Sequence, residues 1–182
     1  MPEPEPRPKP TAKPPAETEP ETPEAKARVR ALRLLARREY SRRGVERALD
    51  RAGFAREVIV PVLDDLEGRG LVDDHRFCRL WLGTQMRLRP RSLRLLRHDL
   101  LREGVTDEVA NAELARAAAE TPESALAEAA ARKKLRAAGS DPAKLARLLA
   151  ARGFAPALVR EVLRSLLGAT HGPEGDEEFT DP

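Results

Sequence analysis

Hydrophobic residues recur in three similar blocks between residues 26 and 168, and each block is built around one glycine. Gly53, Gly104 and Gly153 are separated by 51 and 49 residues. A leucine stands four residues before each glycine, and apolar residues stand five, six, ten and thirteen residues after it. Because spacings of three and four residues place side chains on one face of a helix, an amphipathic helix follows each glycine. The pattern predicts three copies of one unit of about 50 residues.

Each copy is predicted to contain three helices. The glycine ends the second helix, since a left-handed residue there satisfies the last carbonyl groups without a Cβ clash. Ser41, Pro90 and Asp141-Pro142 stand at similar distances upstream and suit the start of that helix. A longer helix precedes each of these starts. No segment alternates as a strand would, so we predict an all-α fold with helices over residues 25–39, 42–52, 55–68, 74–88, 91–103, 106–119, 122–137, 142–152 and 155–167.

One position interrupts the repeat. Nine residues after the glycine, Val62 and Val162 stand in the first and third copies, whereas Glu113 stands in the second. This substitution makes the second copy the least regular of the three. It is therefore the first place to look for function.

The helices divide the chain into three-helix repeats over residues 26–70, 71–120 and 121–168. Because each unit is too small to bury its own apolar stripes, we predict that the repeats stack into an elongated, curved body. Nine of the sixteen prolines lie in the first 23 residues, so residues 1–25 are predicted to form a disordered, proline-rich arm. Residues 169–182 are acidic and broken by glycine and proline, and they are predicted to form a disordered tail.

Charge is strongly segregated along the chain. The net charge is +3, but residues 1–25 carry −3 and residues 169–182 carry −5, which leaves +11 for residues 26–168. A basic folded region favours a polyanionic partner, either nucleic acid or an acidic protein surface. The alternative is an ordinary solvated surface.

Basic side chains cluster at comparable places in each unit, near the end of the first helix or the turn that follows it. Each cluster alone is equally well explained as a solvated face. Their repetition favours a basic track along the stacked units, which would bind an extended partner. The predicted binding residues are Arg37, Arg38, Arg42, Arg43, Arg87, Arg89, Arg91, Arg94, Arg97, Lys133, Lys134 and Arg136.

Candidate catalytic and metal-binding groups are few. His75, His98 and His171 are far apart, no His/Cys spacing suits zinc, and no glycine-rich phosphate loop is present. Cys78 lacks a helper base, so a small core residue is a better interpretation than a nucleophile. A single cysteine also fits a reducing, cytoplasmic setting. We therefore predict no enzymatic activity, no metal site and no cofactor.

Two further features have structural interpretations. Asp73-Asp74 lies at the junction of the first and second units, where helix capping is favoured over metal binding. Trp81 and Tyr40 are predicted to pack in the core or between repeats, because single-strand binders usually carry several exposed aromatic residues. No run of about 18 apolar residues exists, so no membrane-spanning helix is expected.

Three segments resemble one protein family. LLARREYSRR at residues 34–43, followed by Gly53-Phe54, resembles the opening of the RecX family of bacterial regulators. GLVDDHRF at residues 70–77 is similar to the junction by which that family is best recognised, and it contains Asp73, Asp74 and Phe77. Arg152-Gly153-Phe154 resembles the closing unit. One departure is RLRPR at residues 87–91, where the family usually carries Lys/Arg-Gly-Pro.

The resemblance, which covers residues 26–168, implies a non-catalytic regulator of the RecA recombinase in DNA repair. Proteins of this family bind the filament of RecA on single-stranded DNA along its groove and mainly inhibit strand exchange, ATP turnover and coprotease activity. The implied partners are RecA and single-stranded DNA, with duplex DNA as a further candidate, and we expect a cytoplasmic monomer. The alternative is a direct DNA-binding regulator with helix-turn-helix-like units. Asn111 and Gln85 are its only base-reading amides, which disfavours specific readout.

Overall fold

The computed structural model describes residues 22–138 and 141–168, without the side chains of residues 136–138 and 167. The predicted disordered tail over residues 169–182 and most of the predicted arm over residues 1–25 lie outside these described residues. The last residues of that arm begin the first helix instead. Thr22 caps the helix by accepting the N–H of Ala25 at 3.2 Å, and Pro23 occupies its first turn. Proline is tolerated there because its missing N–H would have no partner in the helix.

The described part of the chain contains nine helices and no strand, as predicted. The first helix ends at Leu35 rather than at residue 39, because the chain must reverse direction before Ser41 caps the next helix. The other helices begin and end within two residues of their predicted bounds. The helices are α1 (Pro23–Leu35), α2 (Arg42–Asp50), α3 (Arg56–Gly68), α4 (Asp74–Leu88), α5 (Leu93–Arg102), α6 (Asp107–Glu120), α7 (Glu123–Ala138), α8 (Pro142–Ala151) and α9 (Pro156–Gly168).

Each consecutive set of three helices encloses its own hydrophobic core. The leucines that precede the three glycines, Leu49, Leu100 and Leu149, are fully buried, one in each core. Met86 and Leu93 contact both the second and the third core, so these two cores adjoin. The structure confirms an all-α fold of three stacked three-helix repeats.

Equivalent residues join the first unit to the second and the second unit to the third. In each joint, the serine that caps the second helix of one unit meets the glycine turn of the next unit. Ser41 donates its hydroxyl to the backbone oxygen of Glu103 at 2.7 Å. Ser92 donates its backbone N–H to the backbone oxygen of Arg152 at 2.9 Å. Both serines are buried, so each joint fixes one unit against the next.

An acidic side chain from the first helix of the following unit completes each joint. Asp74 accepts the N–H of Arg42 at 2.7 Å, and Glu123 accepts the N–H of Leu93 at 3.0 Å. These N–H groups belong to the first residues of α2 and α5, which have no partner within their own helices. Each unit therefore helps to cap the second helix of the unit before it.

Candidate functional site

Three adjoining cavities form one open groove across the three units. The first has a volume of about 390 Å³ and shares Trp81 and Gln85 with the second, of about 320 Å³. The second shares Arg89 and Arg91 with the third, of about 420 Å³. We call this surface the basic groove, because six cationic residues line it against three carboxylates. The cations are Arg38, Arg89, Arg91, Arg102, Lys133 and Arg152, and the carboxylates are Glu39, Asp99 and Glu103.

The groove reaches all three units because the joints bring their ends together. Arg38 lies in the turn before α2, and its guanidinium stacks on the Tyr40 ring with 4.0 Å to the ring centroid. Such a cation–π contact holds the Arg38 side chain in place. At the opposite end, the ammonium group of Lys133 donates to the backbone oxygen of Leu88 at 2.8 Å. Contacts of this kind position the charged side chains without neutralising them.

Arg152 is a half-buried cation of the groove. Its guanidinium donates to the backbone oxygen of Pro90 at 3.3 Å, and it makes no ion pair among the described residues. Burial lowers the pKa of Arg152 below its usual value, and the positive charge of Arg91 lowers it further. Arg91 itself is paired with Asp99. An anion that entered the groove here would relieve the unpaired charge of Arg152.

Trp81 provides an apolar surface within the groove. Its indole packs against the second core on one side, as predicted, and lines the first two cavities on the other. Leu80 and Leu88 are 56% and 50% exposed on the same side of α4. The groove therefore combines cations with one partly exposed aromatic ring on which a base could stack.

The predicted basic residues are distributed over several surfaces. Four line the groove: Arg38, Arg89, Arg91 and Lys133. Three others make ion pairs with carboxylates away from it: Arg42, Arg43 and Arg97. Arg37 and Arg94 are exposed outside the groove, Lys134 is half-buried outside it, and Arg87 lines a separate cleft. The side chain of Arg136 lies outside the described part of the chain.

Two groove residues, Arg102 and Arg152, were not among the predicted binding residues. Arg152 directly precedes Gly153, and this glycine turn is the part of the unit that docks on the unit before it. The repeat alignment alone shows that the turn recurs, but it does not show what the turn contacts. Only the stacking of the units brings Arg152 beside Arg89 and Arg91.

The residues of the Asp-Asp-aromatic motif have separate structural roles, and Asp74 is the one that takes part in the first joint. Asp73 caps α4 by accepting the N–H of Arg76 at 3.0 Å, and this hydrogen bond lowers the pKa of Asp73. Asp74 caps α2 of the preceding unit through the N–H of Arg42, and burial raises its pKa. Phe77 is buried in the second core. The described residues contain no cluster of three His, Cys, Asp or Glu side chains placed to hold a metal ion.

Cys78 is a core residue of the second unit. Its side chain is fully buried, and burial raises the pKa of the thiol to about 12. The thiol is therefore protonated at neutral pH, as is usual for a cysteine that packs in a core. In the part of the chain that the structure describes, no helix is both long and apolar enough to cross a membrane.

The fold and the groove define a class of protein: a helical-repeat protein whose candidate binding site is an extended basic surface. Comparison with known proteins supplies the family. A model of the first three-helix domain of RecX matches residues 27–66, and a model of the second three-helix domain of RecX matches residues 73–114.

Relatives named regulatory protein RecX match a larger part of the chain. The protein of Chromohalobacter salexigens is 39% identical over 135 residues, which are 72% of this chain and 86% of the relative. That of Treponema pallidum is 37% identical over 133 residues, 73% of this chain and 80% of the relative. The match to the protein of Prosthecochloris aestuarii is shorter, with 39% identity over 47% of this chain and 56% of that protein. The chain belongs to the RecX family, a family of regulatory proteins.

Two solved structures share the fold. A crystal structure of regulatory protein RecX has a TM-score of 0.65 at 23% identity, and the match covers 79% of this chain and 72% of that protein's chain. The crystal structure of RecX from Lactobacillus salivarius has a TM-score of 0.66 at 18% identity, over 79% of this chain and 96% of its own. The family assignment and the three-helix organisation predicted from the sequence are both confirmed.

Proposed function

We propose that this protein is a non-catalytic regulator that binds the RecA filament on single-stranded DNA and lowers its ATPase, strand-exchange and coprotease activities. The observation that carries the proposal is the basic groove, which crosses all three units and is open along its length. An extended groove suits an extended polyanion, whereas a small substrate is usually enclosed in a pocket. Membership of a family named for regulation supports the same conclusion.

The chemistry of the groove fits single-stranded DNA within such a filament. Arg89, Arg102 and Arg152 make no ion pair among the described residues, so their charges are available to phosphate groups. Trp81 offers a ring on which an unpaired base can stack. Several weak contacts spread along one body give multivalent binding that depends on salt.

We propose that the protein acts as a monomer in the cytoplasm, the compartment in which RecA filaments form. Its one cysteine is a buried thiol, which suits a reducing compartment.

The test is the rate of ATP hydrolysis by RecA on single-stranded DNA as increasing amounts of this protein are added. We expect the rate to fall at or below one molecule of this protein per RecA subunit, with a parallel loss of strand exchange. A variant with Arg89→Glu and Arg102→Glu should inhibit at least tenfold less effectively. Unchanged ATPase and strand exchange at saturating wild-type protein would contradict the proposal.

A further inference from the structure

The two joints between repeats differ in their charges. Two ion pairs cross the first joint: the guanidinium of Arg47 lies 3.3 Å from the carboxylate of Glu103, and that of Arg76 lies 2.8 Å from the carboxylate of Glu39. In the part of the chain that the structure describes, no ion pair crosses the second joint. The third unit therefore docks on the second without the opposite charges that bridge the first joint.

The repeat alignment shows which residues account for this difference. Glu103 directly precedes the glycine of the turn that docks at the first joint, and Arg152 holds that position at the second. His98 stands at the position in the second unit that Arg47, the partner of Glu103, occupies in the first. The second joint thus has a basic turn where the first has an acidic turn paired with an arginine.

The second joint contains a cavity of about 420 Å³ that is lined by cations from both units. Arg89 and Arg91 belong to the second unit, and Lys133 and Arg152 belong to the third. No carboxylate lines the cavity among the described residues, and of the four cations only Arg91 makes an ion pair there, with Asp99. Because like charges in one cavity repel, these side chains weaken the joint as long as the cavity holds no anion.

Two of the cations are held in place by neutral backbone oxygens. The ammonium group of Lys133 donates to the oxygen of Leu88 at 2.8 Å, and the guanidinium of Arg152 donates to that of Pro90 at 3.3 Å. These bonds orient the side chains without compensating their charges, and each side chain keeps further N–H donors. Burial lowers the pKa of Arg152, and the charge of Arg91 lowers it further. The joint therefore presents positioned donors and uncompensated charge to an anion.

The anion that fits this arrangement best is a phosphate group. The cations approach the cavity from two units, and a tetrahedral phosphate accepts hydrogen bonds from several directions. A carboxylate accepts them close to one plane. Guanidinium groups also bind phosphate through paired N–H bonds, and lysine binds it as a point charge. Since the cavity shares Arg89 and Arg91 with the next part of the basic groove, a phosphate within a longer chain can reach it.

We propose that the cavity at the second joint is a phosphate-binding site, and that a phosphate bound to Arg89, Lys133 and Arg152 fixes the third unit against the second. The phosphate supplies at this joint the negative charge that Glu103 supplies at the first. The inference rests on the proposed function for the source of the phosphate, which is the backbone of the single strand in the basic groove. A bound strand would thereby stiffen the body that carries the groove.

The experiment uses the full chain labelled with ¹⁵N, with inorganic pyrophosphate as the probe. Two backbone amides have the same role in the two joints and serve as reporters: the N–H of Arg42 is accepted by Asp74, and the N–H of Leu93 by Glu123. Pyrophosphate at millimolar concentration should slow hydrogen exchange at Leu93 at least about threefold and leave Arg42 unchanged. Sodium chloride at equal ionic strength is the control for screening.

Arg89→Gln tests the site with little risk to the fold, because the side chain of Arg89 is exposed and makes no hydrogen bond or ion pair among the described residues. Its affinity for pyrophosphate, measured from the shift of the Leu93 amide signal, should fall at least about fivefold. Arg164→Gln is the matched control. Arg164 is likewise exposed and without an ion pair in the described part of the chain, but it lies on α9 outside the cavity, so wild-type affinity is expected.

Oligothymidine without terminal phosphates identifies the source of the phosphate. If it slows exchange at Leu93 and displaces pyrophosphate, the site binds a backbone phosphate of the strand. If pyrophosphate alone has this effect, the phosphate site is supported and its ligand is a small phosphate compound.

Two results would overturn the inference. One is a Leu93 amide that responds to pyrophosphate no more than the Arg42 amide does, and this measurement needs no variant. The other is wild-type affinity for pyrophosphate in Arg89→Gln. Both measurements are made without RecA, so either result can be found while the wild-type protein still inhibits the RecA ATPase. Loss of that inhibition with pyrophosphate binding intact would contradict the proposed function and leave the phosphate site standing.

Discussion

At the scale of single residues, the adjacent aspartates of the first joint show how position decides the behaviour of one chemical group. Asp73 accepts a hydrogen bond from the first turn of its own helix, and this bond lowers its pKa. Asp74 points back to the preceding unit, where burial raises its pKa although it also accepts the N–H of Arg42. The two carboxylates therefore contribute to stability with opposite dependence on pH.

Replacing Asp73 by Asn keeps a capping oxygen but removes the charge. Since its pKa is lowered on folding, ionised Asp73 stabilises the protein above the ordinary pKa of 3.8 and loses this effect as the pH falls through its folded pKa. Asp73→Asn should thus lower the free energy of unfolding at neutral pH by less than about 1 kcal/mol, since solvent screens the charge of this partly exposed carboxylate, and it should have little effect at about pH 2. Urea unfolding followed by circular dichroism at both pH values measures this difference.

Asp74→Asn should show the opposite trend with pH. Because the pKa of Asp74 is raised on folding, the stability that the wild-type side chain contributes is full at acid pH and declines as the pH rises through the folded pKa. Relative to the wild type, Asp74→Asn should therefore have its lowest free energy of unfolding at acid pH, and the difference should become smaller near neutral pH. If both variants followed the same trend, the opposite pKa shifts of the two carboxylates would be disproved.

At the scale of helices and turns, the sequence predicts the elements better than their contacts. The offsets around Gly53, Gly104 and Gly153 predicted nine helices, because helix periodicity and helix ends are local properties. The joints were not predicted, since the partner of Ser41 lies 62 residues away and becomes a neighbour only when the units stack. The capping of α2 by Asp74 went unpredicted for the same reason.

The three glycine turns have the same backbone conformation but different surroundings, which allows a test of the joints. Gly53 and Gly104 have φ values of +86° and +87°, so alanine at either position costs about 1–2 kcal/mol in backbone strain. A Cβ at Gly53 would meet no atom within 4 Å, whereas a Cβ at Gly104 would overlap the side chain of Arg43 in the preceding unit. We expect Gly104→Ala to cost about 1–3 kcal/mol more than Gly53→Ala.

Unfolding midpoints in urea give this comparison directly, with Gly53→Ala as the control for backbone strain. Gly153→Ala should behave like Gly104→Ala, since its Cβ would lie 2.5 Å from the hydroxyl of Ser92 and 2.8 Å from Leu95. Equal losses of stability in all three variants would show that the turns at Gly104 and Gly153 do not hold neighbouring units together. The loss of stability in each variant would then come only from the backbone strain of a positive φ at the substituted residue.

At the scale of the whole molecule, the stacking converts a sequence-wide excess of positive charge into one defined surface. The sequence correctly predicted three stacked repeats, and its basic clusters supplied four of the cations in the groove. It could not indicate that Arg42 and Arg97 would be engaged by Asp64 and Asp107, because those partners come from other helices. Nor could the sequence show that α4 presents two separate surfaces, because these depend on how α6 and α7 pack against this helix.

The salt dependence of DNA binding tests whether the groove, and not the net charge, binds the strand. Each phosphate contact on single-stranded DNA contributes about −0.7 to the slope of log affinity against log salt. Arg89 and Arg102 line the groove without an ion pair, so Arg89→Glu with Arg102→Glu should make that slope less steep by about 1.4. Anisotropy of a fluorescein-labelled oligothymidine between about 50 and 200 mM salt measures the slope.

The matched control is Arg160→Glu with Arg164→Glu, which changes the net charge by the same amount on α9, outside the groove. Both residues are exposed and make no ion pair among the described residues. Because charges beyond a Debye length of about 10 Å are largely screened, this control should weaken binding only slightly and keep the wild-type slope. If both double variants lowered the slope equally, the affinity for DNA would come from overall charge, and the groove would lose its role.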